Sequence, residues 1–477
     1  MKRNVLSILL FCCLVVSSLH AQTLVSGGIY ANTTWTLGNS PYLMIGPVVV
    51  FPGKTLTIEP GVEVRVQFAG FPTNGNMHYL EVRGSLVAVG TPSSPIVFKA
   101  DTMPTEVTWS GIYVKRTQGA QINMDYFELY NAYHGISSDQ QEPATWNLHH
   151  CKFQYNNYAI QPFGPTNFYD CTFDSNTQAI GTGWTSNYPM AAKRCVFSDN
   201  FYCNGYQTYF SVDSCIFRDN VNGIMFGSEP ITNTLFERNI FTITAVTGSL
   251  TNCVFNSNQK GLMDFAGLAD NCTFTGNGVA AEMGAGGRLT NSIFLNDTIA
   301  VAYSNMLTAN VPGPVVVQNR ICGSVDYYFE NRSDLNFALD QNCFCETDST
   351  TIEGLIFDGY DDITRGLFNY AIYDSTCQTI LQYVSKVNLP TATDPEFQGS
   401  FKLYPVPAGD QVFLALPTDL GNRNLLAGLY DAQGRQLGEA RRITASEELA
   451  WDLSALPSGL YFVRVSGDVT ATLKFVK

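Results

Sequence analysis

The chain has 477 residues with 41 acidic and 27 basic side chains, a formal charge of −14. That balance excludes a charge-driven nucleic-acid binder and argues against acidic polysaccharide held by charge alone. Its 45% hydrophobic and 14% charged residues supply a large core, and the length allows more than one domain.

At the start, Lys2 and Arg3 precede an apolar run from Val5 to Val16, followed by Ser17, Ser18, Leu19, His20 and Ala21. This order reads as a secretory signal peptide over residues 1–21, too short and wrongly flanked for a spanning helix. No other run is apolar and long enough to be a transmembrane segment. Without residues 1–21 there are 25 basic and 41 acidic residues, a net −16, and the part from Phe397 onward holds 8 of each. The acidic excess therefore lies before Phe397, where it suits solubility or cation binding.

Residues 23–130 read as short, irregular strands. Leu56-Thr57-Ile58, Val62-x-Val64-x-Val66, Leu80-x-Val82, Ile96-x-Phe98 and Ile112-x-Val114 alternate between Pro-Gly and Gly breaks, the pattern of strands with one face buried. Trp35 and Trp109 read as core or cap residues.

From Cys151 a phrase of the form Cys-x-Phe-x-x-Asn returns with a short period. Its phenylalanines are Phe153, Phe173, Phe197, Phe217, Phe236, Phe255, Phe274 and Phe294, spaced 19 to 24 residues apart, with Thr234 and Ser292 replacing Cys and Asp297 replacing the last Asn. Ile160, Ile180, Ile224, Ile243, Leu262 and Val301 stand four residues after the Asn or Asp. No helical apolar stripe runs through the period, so it predicts stacked coils of parallel strands, each burying its apolar side against its neighbours. Phe, Cys and Ile columns face inward, and Asn forms a ladder at a turn, a residue that tolerates left-handed backbone. The fold class is all-β: a solenoid over residues 22–385, then a small C-terminal β-sandwich.

Stacked equivalent cysteines lie about 4.8 Å apart with parallel side chains, which suits free thiols at Cys151, Cys171, Cys195, Cys215, Cys253 and Cys272 better than bridges. A disulfide is plausible only among Cys322, Cys343, Cys345 and Cys377. Thr350-x-x-Glu353 reads as a capping box of a short closing helix. Asp358, Asp361 and Asp362 lack the spacing of a calcium loop and read mainly as turn residues. Calcium at them is the weaker alternative, and no other cofactor is indicated.

Residues 386–399, with Pro390, Pro395 and Gly399, read as a linker. Over residues 400–477, Tyr404-Pro405-Val406-Pro407, Leu429-Tyr430-Asp431-x-x-Gly434-Arg435, Pro457-Ser458-Gly459-Leu460-Tyr461 and Lys474-Phe475-Val476-Lys477 mark short strands and turns.

The repeat resembles the right-handed parallel β-helix of the pectate-lyase-like group. So do Thr34-Trp35-Thr36, Leu56-Thr57-Ile58-Glu59-Pro60-Gly61 and Trp109-Ser110-Gly111-Ile112, which are similar to the opening coils of secreted bacterial β-helix proteins. The order of the C-terminal motifs resembles the sorting domain of the type IX (Por) secretion pathway in Bacteroidetes-type bacteria, with Val406 standing where that family usually has Asn. This resemblance implies secretion machinery as a partner, and release or attachment to surface lipopolysaccharide at the cell surface. Its sorting motif falls on Tyr404, Pro405, Pro407, Gly434, Arg435, Pro457, Gly459, Tyr461, Lys474 and Lys477.

Fold does not decide what such a solenoid does. One candidate catalytic strip precedes the repeated Cys: His149, His150, Tyr169, Asp170, Lys193, Arg194, Asp213 and Ser214 bring acid, base and cation together over successive coils. A second holds Asp199, Asp219, Arg218, Glu237 and Arg238. The Asn-Thr-Asp, Asp-Asp, Gly-His-Gly and Arg-Ile-Lys set of polygalacturonase-like β-helices is absent in its proper order, as are a Gly-x-Ser-x-Gly elbow and a His-Glu-x-x-His helix. The leading expectation is an exported module that binds glycan or a surface partner. A polysaccharide lyase or glycoside hydrolase is the alternative. Tyr155, Tyr158, Tyr169, Tyr188, Tyr202, Tyr206 and Tyr209 are candidates for stacking on sugar rings.

Overall fold

The computed structural model describes residues 22–370, except 70–76, 103–105, 140–144, 182–187, 206–208, 340 and 347, and residues 401–477, except 406–407, 417–424, 432–436, 439–440, 444–448, 458 and 468–470. The expected signal peptide and linker, together with Cys377, Tyr206, Pro407, Gly434 and Arg435, lie outside the described residues. The chain divides near residue 390 into two compact units.

The first unit is a parallel β-solenoid. Each regular coil contributes three strands, illustrated by Trp146–His149, Lys152–Gln154 and Tyr158–Gln161. The first kind stack into a 13-stranded sheet, here the first face. The second and third kinds form two strips, the second and third faces, joined at strand Tyr42–Val50 into one 28-stranded sheet. Pairing between coils is parallel and, outside a few local bulges, in register, so residues one period apart sit one above another in the regular coils.

The phenylalanines form one continuous buried stack. Ring centroids from Phe153 to Phe294 follow one another at 4.5–5.3 Å with planes within 26° of parallel, close to the strand spacing of a sheet. Leu148, Phe168, Val212 and Leu250 line the first face from inside, and Ile160, Ile180, Ile224 and Ile243 line the third.

Two polar columns flank this stack at the corners of the second face. At one, the buried amides of Asn156, Asn176, Asn200, Asn220, Asn239, Asn258 and Asn277 bond vertically. Each Nδ2 donates to the next rung's Oδ1 at 2.8–3.1 Å and to a main-chain carbonyl, that of Phe197 in the case of Asn220. The same Oδ1 also accepts from the backbone N–H of the rung before it. These amides are thus satisfied without water. The expectation that Asn itself takes the left-handed turn needs correction. The residue before it has the positive φ, as at Tyr155, Ser175, Asp199, Asp219 and Arg238, because the Asn side chain must point inward to reach its neighbours.

The cysteine column is the second polar ladder. All six predicted thiols are free and buried, as is Cys203. The Cys195 backbone N–H donates to Cys215 Sγ at 3.3 Å, Cys215 donates likewise to Thr234 Oγ1, and Cys272 to Ser292 Oγ. Thr234 and Ser292 are therefore chemical equivalents of the thiols, and Asn319 and Asn342 continue the column. Burial pushes Cys171, Cys203 and Cys215 well above the ordinary thiol range, which keeps them protonated. Farther on, at the outward end of the second-face strands, the stacked pair Cys322 and Cys345 is a disulfide with Cα atoms 5.1 Å apart, and Cys343 is disulfide-bonded as well.

A short helix, Ser349–Glu353, lies near the end of the described solenoid. Its N-cap is Asp348, which accepts from the Thr351 N–H, rather than the expected Thr350. An aspartate carboxylate offers the helix end a charged acceptor that a threonine hydroxyl does not. Trp35 and Trp109 are core residues, and Trp109 Nε1 donates to the Tyr130 carbonyl at 2.7 Å.

The second unit has antiparallel sheets of three and four strands enclosing Val412, Leu414, Trp451, Leu429, Val463 and Phe475. Tyr404 stacks on Phe413, and Tyr461 Oη donates to the Pro457 carbonyl at 2.7 Å. Lys477 pairs with Gly459 through both backbone groups, while its ammonium donates to the carbonyls of Leu453 and Leu456.

The ladders make two predictions. Cys195→Ser keeps an acceptor in the column and is expected to change stability by less than about 1 kcal/mol. Cys195→Val leaves the Cys171 N–H unsatisfied and is expected to cost roughly 1–3 kcal/mol, read as a fall in Tm.

The second concerns Asp297, the buried last rung of the Asn ladder. Its Oδ1 accepts from Asn277, while its Oδ2 has no partner among the described residues. Burial raises its carboxyl to about 7, despite the opposing hydrogen bonds from Asn277. The folded value lies above the ordinary one, so this group's contribution is fully present below about pH 4 and is lost as pH rises through about 7. Asp297→Asn is expected to raise stability at pH 8 on the order of 4 kcal/mol and to leave it nearly unchanged at pH 4. Equal Tm shifts at both values would refute the assignment.

Candidate functional site

The first predicted strip exists as a continuous surface column. His149, Tyr169, Lys193 and Asp213 lie in register on the first face, and His150, Asp170, Arg194 and Ser214 follow them in left-handed conformation at the corner. Within the strip the polar groups bond to one another. Asp170 holds Arg194 through both carboxylate oxygens at 2.7 and 2.6 Å, Lys193 pairs with Asp213 at 3.2 Å, and His150 Nδ1 lies 2.8 Å from Asp125. Tyr169 stacks on His149. Burial would raise the Asp213 carboxyl, yet donors from Asn233, Thr232, Lys193 and Ser214 hold it below the usual range. The column continues as Asn233, Asn252, Asn271 and Asn291, again left-handed. It has the character of a corner seam, with its charges neutralised in pairs.

The second strip is similar. Asp219 holds Arg238 through two 2.8 Å bonds, and Arg238 also reaches Glu237 at 2.9 Å. Burial, with Asp174 and Asp219 nearby, raises the Asp199 carboxyl. Asp358, Asp361 and Asp362 cap backbone turns. Asp358 accepts from Tyr360 and Phe368 N–H, Asp361 from Asp358 N–H and Asp362 from Thr364 N–H. Their oxygens are thus used in the manner of the turn reading.

A different arrangement stands on the outer side of the third face. Tyr79, Gly111, His134, Tyr158, Gln178 and Tyr202 lie in vertical register, with Glu81, Tyr113, Ser137 and Gln161 in the neighbouring column. His134 stacks on Tyr158 at 5.3 Å, Tyr133 meets both rings edge-on, and Tyr113 contacts Tyr79 and His134. All these rings are half-buried. They make a continuous aromatic surface parallel to the solenoid axis.

Beside it, where Tyr113 and His134 stand, is a cavity of about 190 Å³ bounded by Tyr113, Lys115, His134, Asp139, Gln161 and Phe163, with Ser137 and Ser138 also lining it. Local backbone explains why it forms here. Strand Ala132–Ser138 carries an extra residue opposite Trp109–Val114, since His134 pairs with Gly111 and Ile136 with Ile112. Such a bulge re-aims the side chains beside it. Gly111 has φ +113°, and a Cβ there would lie 1.6 Å from the His134 carbonyl, so glycine is required. Ser138 Oγ accepts from the Phe163 N–H at 3.0 Å and ties down the opposite wall.

Burial lowers the proton affinity of His134, which keeps the imidazole neutral at pH 7, while its hydrogen bond to Gln161 acts in the other direction. Burial likewise raises the Tyr113 hydroxyl. Among the described residues the cavity therefore presents a neutral imidazole, a neutral phenol, amide and hydroxyl groups, one ammonium and one carboxylate.

Of the tyrosines singled out from the sequence, Tyr158 and Tyr202 belong to this surface. Tyr155 lies at a corner, Tyr169 on the first face, and Tyr188 and Tyr209 outside the regular strands. Tyr79, Tyr113, Lys115, Tyr133, His134, Asp139 and Gln161 were not among the predicted site residues. The available signal was positional: His134 stands two residues before Ile136, as Tyr158 stands before Ile160.

Residues 402–477 match the family model of the secretion system C-terminal sorting domain. Over 88 residues the chain is 40% identical to Protein bark beetle of Drosophila melanogaster, covering 18% of this chain and 3% of that protein, so the chain spans a small fraction of that relative's length. One similar solved structure is a mannuronic acid specific polysaccharide family 6 lyase from human gut microbiota, at 12% identity and TM-score 0.32, covering 72% of this chain and 87% of the other. Another is a mutant tailspike protein of E. coli bacteriophage HK620 in complex with pentasaccharide, at 11% identity and TM-score 0.28, covering 95% and 86%. The sorting domain implies type IX export to the cell surface or the extracellular space. The chain is a parallel β-solenoid protein carrying, at residues 402–477, a domain of the secretion system C-terminal sorting family.

Proposed function

We propose that the solenoid is an exported glycan-binding module whose binding surface is the aromatic groove from Tyr79 to Tyr202. The observation that carries this reading is the vertical alignment of Tyr79, His134, Tyr158 and Tyr202, with a polar cavity beside His134. Half-buried rings offer sugar C–H faces an apolar platform while hydroxyl, amide and imidazole groups beside them meet sugar hydroxyls. Neighbouring coils rise by about 4.8 Å, so the five steps from Tyr79 to Tyr202 span roughly 24 Å, room for an oligosaccharide lying along the axis.

In this reading residues 1–21 direct the chain into the periplasm, residues 22–385 bind, residues 386–399 link, and residues 400–477 are read by the secretion machinery before release or attachment to surface lipopolysaccharide. Tyr404, Pro405, Pro457, Gly459, Tyr461, Lys474 and Lys477 belong to the sorting motif, with Lys477 holding the turn at Gly459. Removing residues 400–477 is expected to retain the solenoid in the periplasm, checked by fractionation and surface proteolysis. Surface display of the truncated chain would overturn this assignment.

A second reading, a polysaccharide lyase or glycoside hydrolase, is favoured by one observation: the neutral imidazole of His134 lies beside the Tyr113 phenol, with ring centroids 6.2 Å apart. A base and an acid so placed are what a β-elimination needs. A hydrolase would need a carboxylate pair, and Asp139 is the one carboxylate lining the cavity among the described residues.

A glycan array followed by affinity electrophoresis tests the binding reading. Tyr158→Ala is expected to weaken binding about tenfold, equivalent to about 1.4 kcal/mol, with Tm unchanged. Polymer recovered intact supports binding without chemistry. Unsaturated ends or new reducing ends that disappear in His134→Ala would replace the binding reading with the enzymatic one.

A further inference from the structure

The cavity's chemistry deepens this reading, on which the following depends. We propose that the cavity between Lys115, His134 and Gln161 is a subsite for one uncharged pyranose unit within a neutral, hydroxyl-rich glycan, rather than for a uronate.

Size admits a ligand larger than water: about 190 Å³ is well above the roughly 10–15 Å³ that one water needs. Tyr113 and Phe163 supply apolar wall, and the Ser137 and Gln161 columns supply short polar groups at fixed height. Asp139 and Gln161 are bonded to Thr117 and His134, and the bonding capacity left on their planar groups can meet sugar hydroxyls.

Charge separates the two glycan classes. Lys115 is the one cation lining the cavity among the described residues, and Asp139 places a carboxylate on the same wall, held there by Thr117 through its hydroxyl and N–H. Arg83, in the next coil, is engaged with Glu81. A uronate carboxylate entering beside Asp139 would meet a like charge with no excess of cation to offset it, on a chain that is acidic as a whole. A hydroxyl-rich neutral ring meets donors and acceptors in mixture and no uncompensated charge. The half-buried phenol and imidazole stay uncharged at neutral pH, so they add no field favouring an anion.

The groove continues on both sides of the cavity, through Tyr79 in one direction and Tyr158 and Tyr202 in the other. The ring in the cavity is therefore an interior unit of a polymer running along the axis, and affinity should rise with oligomer length.

The test uses the full secreted chain and soluble polymers of two classes: neutral glucans, mannans, xylans and galactans, and the uronates alginate and polygalacturonate, each at 50 and 300 mM salt. The expected result is retention of at least one neutral polymer with less than about twofold change between the two salt levels, because no ion pair is formed. Gln161→Ala should weaken that binding about tenfold and Lys115→Ala less than threefold, both with unchanged Tm. Binding confined to uronates, weakened by salt and lost in Lys115→Ala, would overturn the neutral-sugar inference while leaving the aromatic groove as a glycan site. Neutral-polymer binding untouched by Gln161→Ala and Tyr158→Ala would place the ligand elsewhere and overturn both. Failure of every polymer to bind would also overturn both.

Discussion

Vertical hydrogen bonding at the two corners of the second face is the constraint on which the rest of the solenoid depends. Apolar columns alone are forgiving, since a stack of Phe, Leu and Ile side chains tolerates small sliding and volume-conserving exchange. The Asn ladder is not forgiving. Each rung must offer a donor and an acceptor to its neighbours at one height, or leave a buried amide unsatisfied at a cost of about 1–3 kcal/mol. The Cys, Thr, Ser and Asn column applies the same demand at the opposite corner. Together they fix the register of every coil between Asn156 and Asp297, and the Phe rings stack because their backbones have been placed.

Register fixed inside is register delivered outside. Side chains alternate across a strand, so an aligned inward column forces an aligned outward one. This is why His149, Tyr169, Lys193 and Asp213 form a line, and why Tyr158, Gln178 and Tyr202 form another, which Tyr79 and His134 extend into the earlier coils. A solenoid thus produces long linear surfaces without further design. What differs between lines is chemical: charges at the first corner pair among themselves, whereas the third-face line joins aromatic rings to a cavity.

The regular part of the fold was legible in the sequence because each inward position repeats its chemistry. Phe217 over Phe236, the free thiols and the Ile column all follow from the period. Less legible was which residue turns each corner. Asn has the local preference for left-handed backbone, but its side chain is claimed by the ladder, and tertiary hydrogen bonding overrode local propensity. The role of Thr234 and Ser292 was hidden for a related reason: read as replacements in an apolar column they look like exceptions, while read as acceptors they keep the rule. The groove was missed because it begins in coils before the repeat. Gly111 and the extra residue at Gly135 break the period there, and outward residues carry no internal periodicity to betray them.

That break follows from the same constraint. Between Asn156 and Asp297 a coil cannot gain a bulge inside its second-face strand or its corners without shifting a ladder rung and unsatisfying buried groups on both sides. The third-face strand lies beyond the ladder, so an added residue there, as at Gly135, disturbs only its neighbours. The coil that carries it precedes Asn156, and its Ala132 N–H donates to the ladder's first oxygen. Concavity large enough for a ligand therefore arises where register is least tightly enforced, next to the rigid stack that holds its walls. The regular coils supply stiffness and linear spacing, and the irregular ones supply the cavity.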